Sequence, residues 1–205
     1  MIRAYRNPTS FPERDFVRYI SIDPAKKNFV SRIETRKDSG EIIVDLFEVI
    51  PLCFEKPYKI ETIICNLQEY LTSKLHLMKD VRMIVIETQM DQASTNIKIQ
   101  YFLLGFFLNN PLFEQCIILE ISPKLKGKVL GCEKGLKGYH LKRWGVEKAK
   151  EICERNKDLV SLEIIREHKV SKKNKVKDDD LADTVLMLEA TLIEIERMNK
   201  VNGLE

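Results

Sequence analysis

The run Val17-Arg18-Tyr19-Ile20-Ser21-Ile22-Asp23 constrains this chain more than any other stretch. It is short, apolar and rich in residues that favour extended backbone, and it stops at Pro24, so it reads as a central β-strand with Asp23 at its exposed end. A second run, Val81-Arg82-Met83-Ile84-Val85-Ile86, ends in the same way at Glu87. It is apolar without alternation, as expected of a parallel strand covered on both faces. Asp180 and Asp183 stand three residues apart near the start of the last helical segment, a spacing that puts both on one helical face. Four carboxylates delivered by three distant elements point to a metal site.

The rest of the chain supplies a scaffold for such a site. Residues 28–36 and 41–50 read as strands joined by the turn Lys37-Asp38-Ser39-Gly40, which with the first strand makes an antiparallel meander. Between 58 and 77, Ile60, Ile63, Ile64, Leu67, Leu71 and Leu75 recur at three and four, the period of an amphipathic helix. A helix over 96–108 follows, then a strand over 116–121 and a glycine-rich basic loop over 124–140. A helix over 142–156, a short strand over 159–167, a mobile basic run to 177 and a final helix over 179–199 complete the expected order. Residues 1–16, with Pro8 and Pro12, read as an irregular arm, and 17–200 as one domain.

Composition excludes several classes. The longest apolar cluster, 101–108, is far shorter than the roughly 18 residues a membrane span requires, and residues 1–12 lack a signal-peptide core. A soluble intracellular protein without a membrane partner is expected. The five cysteines, Cys53, Cys65, Cys116, Cys132 and Cys153, are odd in number and scattered, which favours reduced thiols, and no pair has zinc-ligand spacing. Net charge is only +3, but it is unevenly placed. Nine Lys or Arg face two acidic residues between Lys124 and Lys150, and six face one between Arg166 and Lys177, which leaves the remainder of the chain acidic. Focused positive charge beside clustered carboxylates suits a polyanion brought to metal ions. A merely solvated charged face is the competing reading for either run alone.

Phosphodiester cleavage by two divalent ions needs hard oxygen ligands around ions ~3.5–4 Å apart. In that arrangement Asp23 is the natural bridge, Asp180 and Asp183 address both ions, and Glu87 completes the set. Asp178 and Asp179 crowd the same turn, where acidic residues also serve as N-terminal caps and partners of the helix dipole. Taken alone, Asp180 admits that reading as well.

The ordered set Ile20-Ser21-Ile22-Asp23, Val85-Ile86-Glu87 and Asp180-Leu181-Ala182-Asp183 resembles the RuvC-like Holliday junction resolvases of the ribonuclease H superfamily. Glu87-Thr88-Gln89, Ser122-Pro123-Lys124 and Lys177-Asp178-Asp179-Asp180 look like the poxvirus branch in particular. The resemblance covers about residues 17–192. It implies a ribonuclease H-like α/β fold with a mixed five-stranded sheet, an antiparallel meander plus parallel strands, flanked by helices. It further implies Asp23, Glu87, Asp180 and Asp183 as ligands to two Mg²⁺ or Mn²⁺ ions, and paired nicking of four-way DNA junctions. A viral enzyme that separates joined replicated genomes in the host-cell cytoplasm is the implied setting. Lysines after the fifth strand contact DNA in such enzymes, which makes Lys124, Lys126 and Lys142, with Arg143, the candidates here; ordinary solvated side chains are the competing reading.

Tyr139 and Trp144 interleave with Lys142 and Arg143, a pattern suited to stacking on exposed bases, although Trp144 equally suits a helix core. His76, His140 and His168 form no recognisable triad. Gly127-Lys128-Val129-Leu130-Gly131 lacks the spacing of a phosphate-binding loop, so no nucleotide cofactor is expected. The helix over 96–108 is apolar nearly all round, which suits either complete burial or a homodimer interface through Phe102, Phe106 and Phe107. A two-fold pair of sites matches a four-way junction, and the resemblance also implies a dimer. Two other functions share these features: a ribonuclease H-like nuclease acting on RNA–DNA hybrid or flap DNA, and a non-catalytic nucleic-acid-binding scaffold.

Overall fold

The run that ends in Asp23 is the strand at which the sheet changes direction. The computed structural model describes residues 1–6, 15–53, 56, 59–167 and 178–201. Strands β1 (Ile2–Arg6), β2 (Phe16–Asp23), β3 (Phe29–Lys37), β4 (Ile42–Ile50), β5 (Val81–Glu87) and β6 (Ile117–Ile121) form one sheet in the order β1-β6-β5-β2-β3-β4. On one side of β2 the meander β2-β3-β4 is antiparallel; on the other, β5 and β6 run parallel to β2, and β1 closes the edge antiparallel to β6. The fold is the ribonuclease H-like one expected, with a sixth strand.

Alternation of side chains along the strands divides the core into two layers. Ile20 and Ile22 of β2, Ile84 and Ile86 of β5 and Ile118 of β6 face one way, onto Ile63, Leu67 and Leu71 of α1 (Ile60–Lys74) and Ile99, Leu103 and Phe107 of α2 (Ser94–Asn109). Met83 and Val85 of β5 and Leu119 and Ile121 of β6 face the other way, onto Leu125 and Val129 of α3 (Lys124–Leu130) and Met187, Leu188 and Ala190 of α6 (Asp178–Val201). Beside them α4 (Gly138–Arg155) and α5 (Leu159–Glu167) pack with α6 over β3 and β4. At Gly145 a β-carbon would lie 3.5 Å from Leu186 Cδ1, so α4 and α6 approach closely there. Glu189 of α6 accepts from Arg36 of β3 at 3.0 Å and from Arg155 of α4 at 2.5 Å, which ties α6 to sheet and neighbour. The first two turns of α6, with Asp180 and Asp183, lie over the ends of β2 and β5.

Four expectations change. Ile2–Arg6, expected within an irregular arm, is an edge strand paired with β6, and its register breaks between Ala4 and Arg6. The segment expected as a basic loop contains α3, whose Leu125 and Val129, four apart, bury one face, and α4 begins at Gly138 rather than at 142. Gly131, at φ 80°, ends α3 in the left-handed conformation that glycine adopts without strain, so the glycines punctuate helices here. Residues 159–167 form α5 instead of a short strand. Asp158 Oδ1 accepts from the Ser161 backbone N–H at 3.0 Å, capping a helix whose Ser161, Leu162 and Ile165 are buried at helical spacing. The basic run after Glu167, including His168, and residues 7–14 of the N-terminal arm lie outside the described residues. No helix among the described residues is long and apolar enough to cross a membrane.

Candidate metal centre

The parity of β2 and β5 decides where the site forms. In the parallel ladder Ile22 pairs with Ile86, so the next residues, Asp23 and Glu87, stand side by side at the carboxyl ends of adjacent strands. Both belong to the set of alternate residues that faces α6. Asp183, in the second turn of α6, meets them, and carboxylate oxygens of Asp23, Glu87 and Asp183 all lie within 4.8 Å of one another. Three of the four expected ligands therefore converge. Asp180, one turn earlier, stands beside this trio, with its Oδ2 accepting from Asn28 Nδ2 at 2.5 Å.

A buried lysine threads into the cluster. Lys126 Nζ lies 2.6 Å from Glu87 Oε1 and 2.8 Å from Asp183 Oδ1, with its side chain only 9% exposed. Expected to contact DNA, it is here ion-paired within the carboxylate cluster. Its place on α3, one residue after the buried Leu125, aims it at the carboxylates; read as part of a loop, it could not be assigned that direction. Lys142, on the exposed flank of α4, pairs with Asp179 in the first turn of α6. Lys124 and Arg143 are exposed, as is Tyr139, whereas Trp144 is partly buried against the α4–α6 core.

Crowding shows in the protonation equilibria. Burial, reinforced by Glu87 and Asp183, pushes the Asp23 carboxyl well above its ordinary value. Burial also raises Glu87, against the opposing pull of the Lys126 ammonium. Asp180 is pushed up to about 6 by burial and by neighbouring Asp179. For Lys126 burial alone would favour the neutral amine, but Glu87 and Asp183 outweigh it and hold the group cationic. Several carboxylates crowded with only partial compensation form a site whose ionised state calls for more positive charge.

The donor set fits hard divalent cations. All three converging groups are carboxylates, on rigid strand ends and a helix, and an ammonium already occupies the interior of the cluster as a cation can. The sequence reading missed a set of amides around Asp23. Gln89 Nε2 donates to Asp23 Oδ1 at 3.4 Å, Asn96 Nδ2 donates to Gln89 Oε1 at 3.2 Å, and the Gln89 backbone N–H donates to Gln100 Oε1 at 2.7 Å. Asn96 and Gln100 belong to α2, and Gln89 to the connection before it.

Phe107, expected at a dimer interface, is instead fully buried in the core of the chain itself, its ring 5.0 Å from that of Phe113. Phe102 and Phe106 are only partly buried, and Tyr101 beside them is 62% exposed.

No protein-family model and no curated protein sequence matches the chain. Solved structures do. The yeast mitochondrial Holliday junction resolvase Ydc2 superposes with a TM-score of 0.61 at 16% identity, over 85% of this chain and 77% of that one. Thermus thermophilus RuvC in complex with a Holliday junction substrate gives 0.56 at 11%, over 88% and 96%. The Fowlpox virus resolvase, bound to substrate Holliday junction DNA, gives 0.52 at 19%, over 86% and 98%.

Proposed function

Starting from a fold shared with the RuvC-like Holliday junction resolvases, we propose that this protein is a divalent-metal-dependent endonuclease that cuts four-way DNA junctions by paired nicks, acting as a homodimer. The observation that carries the proposal is the convergence of Asp23, Glu87 and Asp183 at the ends of β2 and β5, with Asp180 alongside. The poxvirus-like motifs extend it to a viral enzyme that separates joined replicated genomes in the host cytoplasm.

Asp23, Glu87, Asp180 and Asp183 would hold two Mg²⁺ or Mn²⁺ ions. Bound there, such ions supply an activated water and stabilise the charge that develops on the leaving oxygen. The chain's own residues prepare the rest. Asp23 and Glu87 present their oxygens from rigid strand ends, so little reorganisation is needed to bring them into place. Lys126 keeps the carboxylates together by charge, and its ammonium is a hydrogen-bond donor available to a phosphate oxygen once cations relieve it of Glu87 and Asp183. Exposed Lys124 and Arg143, on the same helices as Lys126 and Lys142, are free to neutralise the DNA backbone.

Purified protein incubated with end-labelled four-way junction, linear duplex, flap and RNA–DNA hybrid, with and without Mg²⁺, tests this reading. Mg²⁺-dependent cutting confined to the junction is expected. Preferential cutting of the hybrid or flap would move the assignment to another ribonuclease H-like activity, and metal-independent binding without cutting would make the protein a scaffold.

A further inference from the structure

The amides around Asp23 have a fixed direction, which can be worked out from a donor that admits no ambiguity. The backbone N–H of Lys26 can only donate, and it donates to Asn96 Oδ1 at 3.4 Å. Asn96 must therefore turn its NH₂ group toward Gln89, whose Oε1 accepts at 3.2 Å. Gln89 must in turn present its NH₂ group to Asp23 Oδ1, at 3.4 Å. A second branch holds the backbone of Gln89, whose N–H donates to Gln100 Oε1 at 2.7 Å. Gln100 then turns its own NH₂ group to buried Glu120, whose other oxygen accepts from the Tyr5 hydroxyl at 2.6 Å. Residues on α2 thus hold Gln89 at both its side chain and its main chain.

From this arrangement we infer that Gln89 is a positioning residue: aligned by Asn96, it pins one oxygen of Asp23 and so aims the carboxylate at the metal. The inference rests on the function proposed above. A carboxylate at a strand end, without a second-layer donor, is free to rotate about its last bond, and ligands of this kind depend on such donors for orientation. Asn96 reaches the carboxylate oxygen through Gln89, and its Oδ1 separately accepts from the Lys26 backbone. Glu87 and Asp183 have a different partner in Lys126, so the amide pair is specific to Asp23.

Calorimetric titration of the DNA-free protein with Mn²⁺ tests the inference without reference to activity. Gln89→Met keeps the length of the side chain and removes both donor and acceptor; it should weaken Mn²⁺ binding by about tenfold. Asn96→Ala, at a helical position that alanine favours, should weaken binding by a smaller factor. The double variant should bind no more weakly than Gln89→Met alone, because the second residue works through the first. Equal affinity in Gln89→Met and the unaltered chain, or losses that multiply in the double variant, would overturn the inference. If the unaltered chain takes up no Mn²⁺, the failure is that of the proposed function itself.

Discussion

At the scale of single residues, Asp23, Glu87 and Asp183 stand within reach of one another, and Lys126 offsets their charge from inside the cluster. Each of Asp23→Asn, Glu87→Gln, Asp180→Asn and Asp183→Asn removes one negative ligand at nearly constant volume. Each should retain junction binding and lose at least about 100-fold in Mg²⁺-dependent cutting, measured under single-turnover conditions. Asp179→Asn, whose carboxylate pairs with Lys142 outside the trio, should be milder. Stability should respond in the opposite sense. A carboxyl whose pKa is raised in the folded state binds protons there that the unfolded chain has already released. Its folded form therefore loses stability as pH rises from the unfolded value, roughly 4, through the folded one. For Asp180 that window closes at about 6, and for Asp23 the shift has the same direction. Melting of the metal-free protein should accordingly be highest on the acid side of this window, as far as these groups are concerned. At pH 7 Asp23→Asn should melt at a higher temperature than the unaltered chain and respond less to Mg²⁺. A lower melting temperature for Asp23→Asn would show that its charge is compensated. Lys126→Met should destabilise the metal-free protein by about 1–3 kcal/mol, since Glu87 and Asp183 lose their counterion, and added Mg²⁺ should recover more of the melting temperature than it adds to the unaltered chain.

At the scale of elements, the two sides of α2 differ in burial. Its inner side, with Ile99, Leu103 and Phe107, is core, and its outer side leaves Tyr101 exposed and Phe102 and Phe106 partly so. Phe102→Asp and Phe106→Asp should shift a dimer to monomer in sedimentation equilibrium while leaving the fold intact. Phe107→Asp should instead unfold the chain, because a fully buried ring that packs on Phe113 is replaced by an unpaired charge. The uniform apolar run concealed this difference, since periodicity cannot rank the sides of a helix that is apolar all round. On α3 and α4, the triple neutralisation Lys124→Ala, Lys142→Ala and Arg143→Ala should reduce the salt dependence of junction binding by up to ~0.9 units of log–log slope for each phosphate that these cations neutralise. An unchanged slope would show these side chains to be merely solvated. The strands that carry Asp23 and Glu87 were legible because an apolar run that ends abruptly in a carboxylate has few other uses. The helices α3 and α5 were not, because four glycines masked the spacing of Leu125 and Val129, and nine residues are too few to separate strand from helix by pattern. The inward direction of Lys126 depends on α3 being a helix, so it was hidden as well.

At the scale of the whole molecule, the order β1-β6-β5-β2-β3-β4 brings the carboxyl ends of β2 and β5 together at the place where α6 crosses them. Ligands of open α/β sheets gather at such strand ends, and residues far apart in sequence meet there without a dedicated loop. The pairing of Asp23, Glu87 and the Asp180–Asp183 turn could be read from the sequence as a set, while the amides of Gln89, Asn96 and Gln100 could not, since short polar side chains acquire direction only from their neighbours in space. A pair of such centres related by two-fold symmetry suits a junction with nearly the same symmetry, and it predicts that both nicks fall within one binding event. A supercoiled plasmid that extrudes a cruciform separates the possibilities directly. The protein with Mg²⁺ should convert it to linear molecules cut at the cruciform base, with Asp23→Asn inert under the same conditions. Nicked circles as the final product, or linear product undiminished in Asp23→Asn, would contradict a paired, carboxylate-centred junction nuclease.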